Sequence, residues 1–390
     1  MSGIFLTLRR AGIRCTRRQN PSSSRLFTVL AVESSADDTG AAVVTSSGNI
    51  LSNIVVKQHQ IHEDFGGIHP YKAVQAHQRN LPGAVRKALT DAGLTVTDVD
   101  GIAFTRGPGM PGCLGAGATA ALTLAAALNK PVVGVHHMQA HALTALLTSA
   151  ESPPEFPFLT LLVSGGHTLL LLASSLTQFR ILATTPDESI GRVFDKVSRM
   201  LALPWSSLGP GAALEDFCRS SSEPSGDCDS SRHVVPVLPR TMPGAMAFSF
   251  SGLHSAVERF VTAHGGAQAL DITTKRELAR EFQRAAVGQL EEKVGLALHW
   301  CQMRGIDVRH IVVSGGVASN AYLRDRCALR LSAQEASPHI PISLVFPPPS
   351  LCTDNAVMIA WASMHRFLAR DFDNYSTTIL PKWSIEELSG

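Results

Sequence analysis

Runs of apolar residues alternate along the chain with segments whose apolar positions recur at helical spacing. Residues 27–32 read as a buried strand, 33–40 as a polar turn and 41–44 as the return strand. A helix is predicted over 71–92, with Gly93 as its stop. A strand at 101–105 leads through a Gly/Pro loop, 106–112, into an Ala-rich helix over 113–129. Next come a strand at 132–135 and a helix starting at His136 and running to 147. Residues 159–163 and 168–172 form a hairpin around Ser164, Gly165, Gly166 and His167. A Ser-rich loop spans 220–232, and a long helix spans 276–300. A strand at 310–313 runs into a second Ser-Gly-Gly turn and another helix. Pro347, Pro348 and Pro349 close a strand, and 355–368 forms the last strong helix. Strands and helices alternate, with antiparallel hairpins among them, which argues for an α/β fold with mixed sheets. Val-Ser-Gly-Gly occurs at 163–166 and again at 313–316, each time ending an apolar strand. The repeat suggests a duplicated fold with a cleft between its halves.

Composition narrows the class. With 390 residues, 45% hydrophobic and 17% charged, the chain can bury a substantial core, and wholesale disorder is excluded. The longest apolar helical pattern, 113–129, is rich in Ala, Gly and Thr and reads as a buried helix; no membrane span is predicted. Seven dispersed cysteines without a CxxC pair speak against a disulfide framework or a zinc ribbon.

Charge is unevenly placed. Residues 1–30 hold six arginines, three consecutive serines and no acid, the pattern of a mitochondrial transit peptide. A basic arm for nucleic acid is the alternative. The rest of the chain carries 28 Lys and Arg against 32 Asp and Glu, a net charge of −4. Any RNA binding must then use a local patch, for which Arg232, Arg240, Arg324 and Arg326 are the candidates.

Several motifs bear on chemistry. Gly107, Gly109 and Gly112 satisfy GxGxxG between a strand and a helix, but no acid follows about 20 residues on, as a dinucleotide fold requires. A tight turn offering backbone amides is the better reading. His137 and His141 lie four apart, so on a helix both imidazoles face one ion, while His136 points elsewhere. Asp354, at a helix start, is the best third ligand, with helix capping as its other reading. Met138 stands where zinc peptidases of the HExxH type carry their glutamate, so metal-dependent proteolysis is disfavoured. The Ser-Gly-Gly turns suit phosphate contacts or are ordinary tight turns. Asp37 and Asp38 read as exposed carboxylates of the first turn. Asp195 reads as standing at a helix start, and Gly211 and Glu215 are spaced to bring an amide and a carboxylate to one ligand.

Taken together, ESSADDTG (33–40), RGPGMPG (106–112), VHHMQAH (135–141), EFPFLTLLVSGGHT (155–168), FSFSGL (248–253), SGGVASN (314–320) and CTDNAVMIAW (352–361) resemble the TsaD family of tRNA adenosine threonylcarbamoyltransferases. The likeness runs from about residue 27 to 383 and, with the leader, is greatest to the mitochondrial branch. It implies a two-lobed actin/sugar-kinase/heat-shock-ATPase fold, with duplicated mixed-sheet domains around a cleft. The lobes would be 31–150 and 151–390 after a leader at 1–30, with the last helix returning to the N-terminal lobe. It implies transfer of threonylcarbamoyl from threonylcarbamoyl-AMP, made by an upstream synthase, to N6 of adenosine 37 in mitochondrial tRNAs reading ANN codons. A peptidase or an ATP-dependent kinase of the same fold is the alternative.

By the same resemblance, His137, His141 and Asp354 would hold one divalent ion, zinc or iron. Leu162, Val163, Ser164, Gly165 and Gly166 would line the adenylate site, completed by Asp195, Gly211, Glu215, Ser319, Asn320 and Thr353. Asp38 would be the catalytic carboxylate. A homodimer in the mitochondrial matrix is implied as well. The chain departs from the family pattern in three places. Ala36 and Asp38 stand where bacterial members have Cys and Glu, Ala and Ser are exchanged in SGGVASN, and no Tyr-Pro-Gly-Gly precedes Gly211.

Overall fold

The computed structural model of the chain describes residues 26–149, 151–204, 209–220, 234–334 and 342–389. Most of the basic leader, and Arg232 in the Ser-rich stretch, lie outside the described residues.

The first sheet grows from a meander. β1 (Thr28–Glu33) pairs antiparallel with β2 (Thr39–Thr45), and β2 with β3 (Ile50–Val56). β4 (Gly101–Gly107) and β5 (Val132–His136) add in parallel on the other side of β1, giving the order β3-β2-β1-β4-β5. The second sheet repeats the plan. β6 (Phe158–Val163), β7 (Thr168–Ala173) and β8 (Phe179–Thr184) form the meander. β9 (His310–Ser314) and β10 (Ser343–Val345) add in parallel beside β6. The order β10-β9-β6-β7-β8, read from its other end, matches the first sheet strand for strand. The duplication suggested by the two Ser-Gly-Gly turns is therefore present in the topology.

Burial explains the continuous apolar runs. In β1, Leu30 and Val32 face α2 (Pro70–Asp91) and α3 (Pro111–Ala127), which follow the short α1 (His59–Glu63). Val29 and Ala31 face the opposite core, so both faces of the strand are covered. That opposite core is built around α4 (His137–Thr148) and α11 (Ala356–Leu368) and takes in Phe158, Leu162 and Val312 of the second sheet. The last helix thus packs on β1, β2 and β4. The far face of the second sheet is covered by α5 (Ile190–Met200), α6 (Pro210–Arg219), α7 (Ser251–Ala263), α8 (Ile272–Gln302) and α9 (Ala321–Gln334), with the short α10 (Pro349–Cys352) leading to α11. No helix among the described residues is long and apolar enough to cross a membrane.

β3 and β8 have no counterpart among the strands legible in the sequence. Both are edge strands with only partial burial, so their apolar pattern is weak. Asp195 lies in the middle of α5, not at its start: Ile190, Val193, Phe194 and Val197 form the buried stripe that begins the helix earlier.

Candidate functional site

β5 delivers the chain directly into α4, and the junction sorts three adjacent histidines by role. His136 caps the helix: its Nδ1 accepts from the amides of Met138 (3.2 Å) and Gln139 (3.4 Å), while its Nε2 donates to the Trp383 carbonyl (3.1 Å). Burial holds this ring neutral, with its pKa lowered to about 3. His137 and His141 lie one turn apart with ring centroids 4.7 Å apart. The Nε2 atoms of His137 and His141 lie 3.5 and 3.0 Å from Asp354 Oδ1. The three candidate ligand atoms fall within 4.8 Å of one another. Capping and ligation at Asp354 are separated by its neighbour. Asn355 Oδ1 accepts from Met358 N (3.0 Å), so Asn355 is the cap and Asp354 is left for the cluster.

Glu33, the last residue of β1, completes the arrangement from behind. It is fully buried and accepts from Ser35 N (2.6 Å) and the Thr105 hydroxyl. Its Oε2 lies 3.2 Å from His137 Nδ1. Burial opposes charge at His137, but Glu33 and Asp354 outweigh it and push the imidazole up to about 10. Burial would raise both carboxylates, yet the adjacent imidazolium holds both below the usual range. His137 thus lies between a buried carboxylate, Glu33, and a half-buried one, Asp354, and both favour its charged form. A divalent ion in place of that proton would fit the donor set of two imidazole nitrogens and one carboxylate oxygen. Glu33 lies in the turn motif, but its position at a strand end gave no sign of a role beside His137.

The first turn is not exposed. Asp37 and Asp38 are half-buried, and Asp38 Oδ1 has no hydrogen-bond partner. Burial, then repulsion from Asp37 and Asp354, pushes Asp38 up to about 8. Burial and Asp354 raise Asp37 as well. Glu33, the first residue of the turn motif, contacts His137 at 3.2 Å, which puts the turn beside the histidine cluster. His167, from the turn after β6, belongs to the same neighbourhood: burial, then repulsion from His137, lowers it to about 4.

The two Ser-Gly-Gly turns are neighbours because β6 and β9 pair in parallel, with Leu162 opposite Ser314. The side chains of Leu162 and Val163 are buried in the cores, so these residues offer backbone only. A Cβ on Gly315 would lie 2.4 Å from the Val163 carbonyl, whereas Gly165 and Gly166 border open space. Gly211 N donates to Asp195 Oδ1 (2.9 Å), which ties α6 to α5. Burial raises Asp195 to about 6 despite that bond. Glu215 Oε1 accepts from Ala321 N (2.8 Å) and Asn320 Oδ1 from Leu323 N (2.9 Å), both at the start of α9. The Ser319 hydroxyl donates to Gly316 O (2.6 Å), and Thr353 is half-buried beside Asp354.

The GxGxxG glycines serve close packing. A Cβ at Gly107 would fall 1.8 Å from the Leu380 carbonyl, at Gly109 2.7 Å from Ser35 O, and at Gly112 2.5 Å from Val74 Cγ2. The amides of Gly109 and Met110, which the sequence reading offered to a ligand, go to Pro381 O (3.2 Å) and Ser35 O (2.8 Å). The C-terminal segment therefore straps this loop to the cap of α4. Of the candidate RNA cations, Arg324 donates to Ala318 O (2.7 Å) and Pro347 O (3.2 Å), and Arg326 pairs with Glu291 (2.9 and 3.0 Å). Arg324 is half-buried on its contacts, Arg326 is exposed but held by Glu291, and Arg240 is exposed.

Two five-stranded mixed sheets of one topology, with turns from both converging near a His-His-Asp cluster, define a protein of the actin/sugar-kinase/heat-shock-ATPase type with a candidate metal centre. A family model described as TsaD, tRNA N6-adenosine threonylcarbamoyltransferase, matches residues 49–361, and the chain belongs to that family. It is 38% identical over 386 residues to a "Probable tRNA N6-adenosine threonylcarbamoyltransferase, mitochondrial" of Arabidopsis thaliana, covering 95% of this chain and 77% of that one. It is 37% identical over 376 residues to the "tRNA N6-adenosine threonylcarbamoyltransferase, mitochondrial" of Schizosaccharomyces pombe, covering 94% and 88%. Among solved structures, full-length HypF in the phosphate- and nucleotide-bound form superposes with a TM-score of 0.50 at 13% identity, over 89% of this chain and 47% of that one, a likeness of fold alone.

Proposed function

We propose that the protein transfers the threonylcarbamoyl group of threonylcarbamoyl-AMP to N6 of adenosine 37 in mitochondrial tRNAs that read ANN codons. The observation that carries this reading is the cluster of His137, His141 and Asp354, joined at His137 to Glu33, the residue that opens the turn bearing Asp37 and Asp38. The mixed carbamoyl–phosphate anhydride is already activated, so the site has to orient it, polarise its carbonyl and accept one proton from the attacking amine. A divalent ion held by His137, His141 and Asp354 would supply Lewis acidity. The open backbone at Gly165 and Gly166 suits close approach of the adenylate phosphate, with Ser164, Ser319 and Thr353 around it. Asp195, Gly211, Glu215 and Asn320 would hold its nucleoside part, and Leu162 and Val163 would contribute backbone. Asp38, with a raised pKa and an unpartnered oxygen, would take the proton from N6.

The arginine-rich leader and the mitochondrial relatives support residues 1–30 as a transit peptide and the matrix as the site of action. We further propose lobes at 31–150 and 151–390 and a homodimer, in which two modest cationic patches would act together on tRNA. The test is incubation of the protein with mitochondrial tRNA, threonine, bicarbonate, ATP and the adenylate-forming synthase. Threonylcarbamoyladenosine should form only when both proteins are present, and preformed threonylcarbamoyl-AMP should replace the synthase. Unmodified tRNA in both arms would overturn the reading.

A further inference from the structure

His77 in α2 belongs to none of the motifs that define the site, yet it grips the turn carrying Asp37 and Asp38 from both sides. The ring is fully buried. Its Nε2 donates to the Ala36 carbonyl (2.9 Å), and its Nδ1 lies 2.8 Å from Thr39 Oγ1. Ala36 and Thr39 immediately flank the two aspartates, so a single imidazole staples both ends of the dipeptide.

The protons in this network are set by its ends. A carbonyl can only accept, so Nε2 carries the ring proton and Nδ1 accepts from the Thr39 hydroxyl. The Thr39 oxygen in turn faces Gln58 Nε2 (3.5 Å), Gln58 Oε1 accepts from His62 Nε2 (3.1 Å), and His62 Nδ1 accepts from the backbone N–H of His69 (3.3 Å). Thr39, Gln58, His62 and His77 are all buried. The chain therefore runs in one direction from the His69 amide to the Ala36 carbonyl, with both imidazoles neutral. Burial lowers the pKa of both rings, which agrees with that assignment.

We propose that His77 is a positioning residue for Asp38, holding its carboxylate at the reacting centre against repulsion from Asp37 and Asp354. The inference rests on the reading of Asp38 as the base. The turn needs such a tie because residues 34–38 lie between the paired segments of β1 and β2, and its two adjacent carboxylates repel each other. A displacement of about 1 Å at a reacting group costs on the order of 10²-fold in rate.

The experiment compares His77→Leu, His77→Gln and Thr39→Val in the full-length protein with threonylcarbamoyl-AMP and tRNA. Leucine removes both ring contacts, glutamine keeps a donor and an acceptor on one planar group, and valine removes only the Thr39 hydroxyl. The expected result is a kcat lowered by roughly 10- to 100-fold in His77→Leu and Thr39→Val. KM for tRNA and metal content should be unchanged, and His77→Gln should recover most of the loss. Hydrogen exchange should quicken at amides 34–39 in the leucine variant and stay the same in α4. Three results would each overturn the proposal: unchanged kcat in folded His77→Leu, equal losses in the leucine and glutamine variants, or a fully active Asp38→Asn. If the unaltered protein makes no product, the proposed function fails, whereas the exchange measurement still tests the staple.

Discussion

Glu33 Oε2 stands 3.2 Å from Nδ1 of His137, while Nε2 of the same ring faces Asp354 at 3.5 Å. One imidazole therefore sits between two carboxylates, the arrangement that orients a metal-bound histidine and raises its basicity. Glu33→Gln keeps the shape and the contact with Thr105 but removes the charge. Its metal affinity is expected to fall by roughly 10- to 100-fold. Competition with a chelator measures it, and an unchanged affinity would show that Glu33 has no part in holding the ion.

Asp38 should govern the pH dependence. Its carboxyl loses its proton near 3.8 when unfolded but near 8 in the folded protein. The raised value means that the stability contributed is fully present below pH 3.8 and is lost as pH climbs to about 8. Asp38→Asn removes this dependence, so its Tm should gain on that of the unaltered protein across this window and converge with it in acid. Transfer should rise with pH toward about 8 in the unaltered protein and fall roughly 10²- to 10⁴-fold in the variant. A pH–rate profile of the same shape in both would refute Asp38 as the base.

What could be read in the sequence was what is local. The continuous apolar run of β1 and the i, i+4 histidines of α4 each carry their own period, and both are found where expected. Relationships across the chain were not legible. Glu33 and His137 are 104 residues apart, and nothing in either neighbourhood joins them. Asp37 and Asp38 look solvated in a polar octapeptide, yet both are half-buried, in a turn that His77 of α2 holds at Ala36 and Thr39. Gly107, Gly109 and Gly112 carry a nucleotide-loop pattern because close approach to the backbone demands glycine whatever approaches, and here it is Leu380, Ser35 and Val74.

The C-terminal strap should matter to α4, the helix that carries both candidate ligand histidines. Leu380 N donates to Arg106 O (2.8 Å), and the Trp383 ring packs on His136 at 4.7 Å while its carbonyl receives the His136 proton. Gly107→Ala would drive a methyl into the Leu380 carbonyl, and we expect a loss of about 3 kcal/mol or more in stability. A chain ending at Ser376 lacks the partner of His136 and should release its metal faster. Thermal unfolding and metal-release kinetics check the two, and a truncated chain that retains metal normally would mean that α4 is held by its core packing alone.

The arginines divide into structural and available ones, and the division can be measured. Arg324 packs at 4.5 Å over Phe346 and bonds the carbonyls of Ala318 and Pro347, so it ties the second Ser-Gly-Gly turn to the segment before Asp354. Arg326 pairs with the buried Glu291 at 2.9 Å. Replacing either with alanine should cost about 1–2 kcal/mol of stability, chiefly through the polar groups left behind. Neither change should alter how tRNA affinity depends on salt, because both guanidiniums are held by acceptors of the protein itself, Arg324 by two carbonyls and the exposed Arg326 by Glu291. Arg240, exposed on the loop before α7, is the opposite case. Arg240→Ala should leave Tm unchanged and reduce the slope of log affinity against log salt by roughly 0.7–0.9, the release of one counterion. A salt series on the three variants, with Tm measured alongside, separates the roles. If Arg326→Ala flattens the salt dependence while Tm holds, the Glu291 pair opens on binding and the cation belongs to the RNA surface after all.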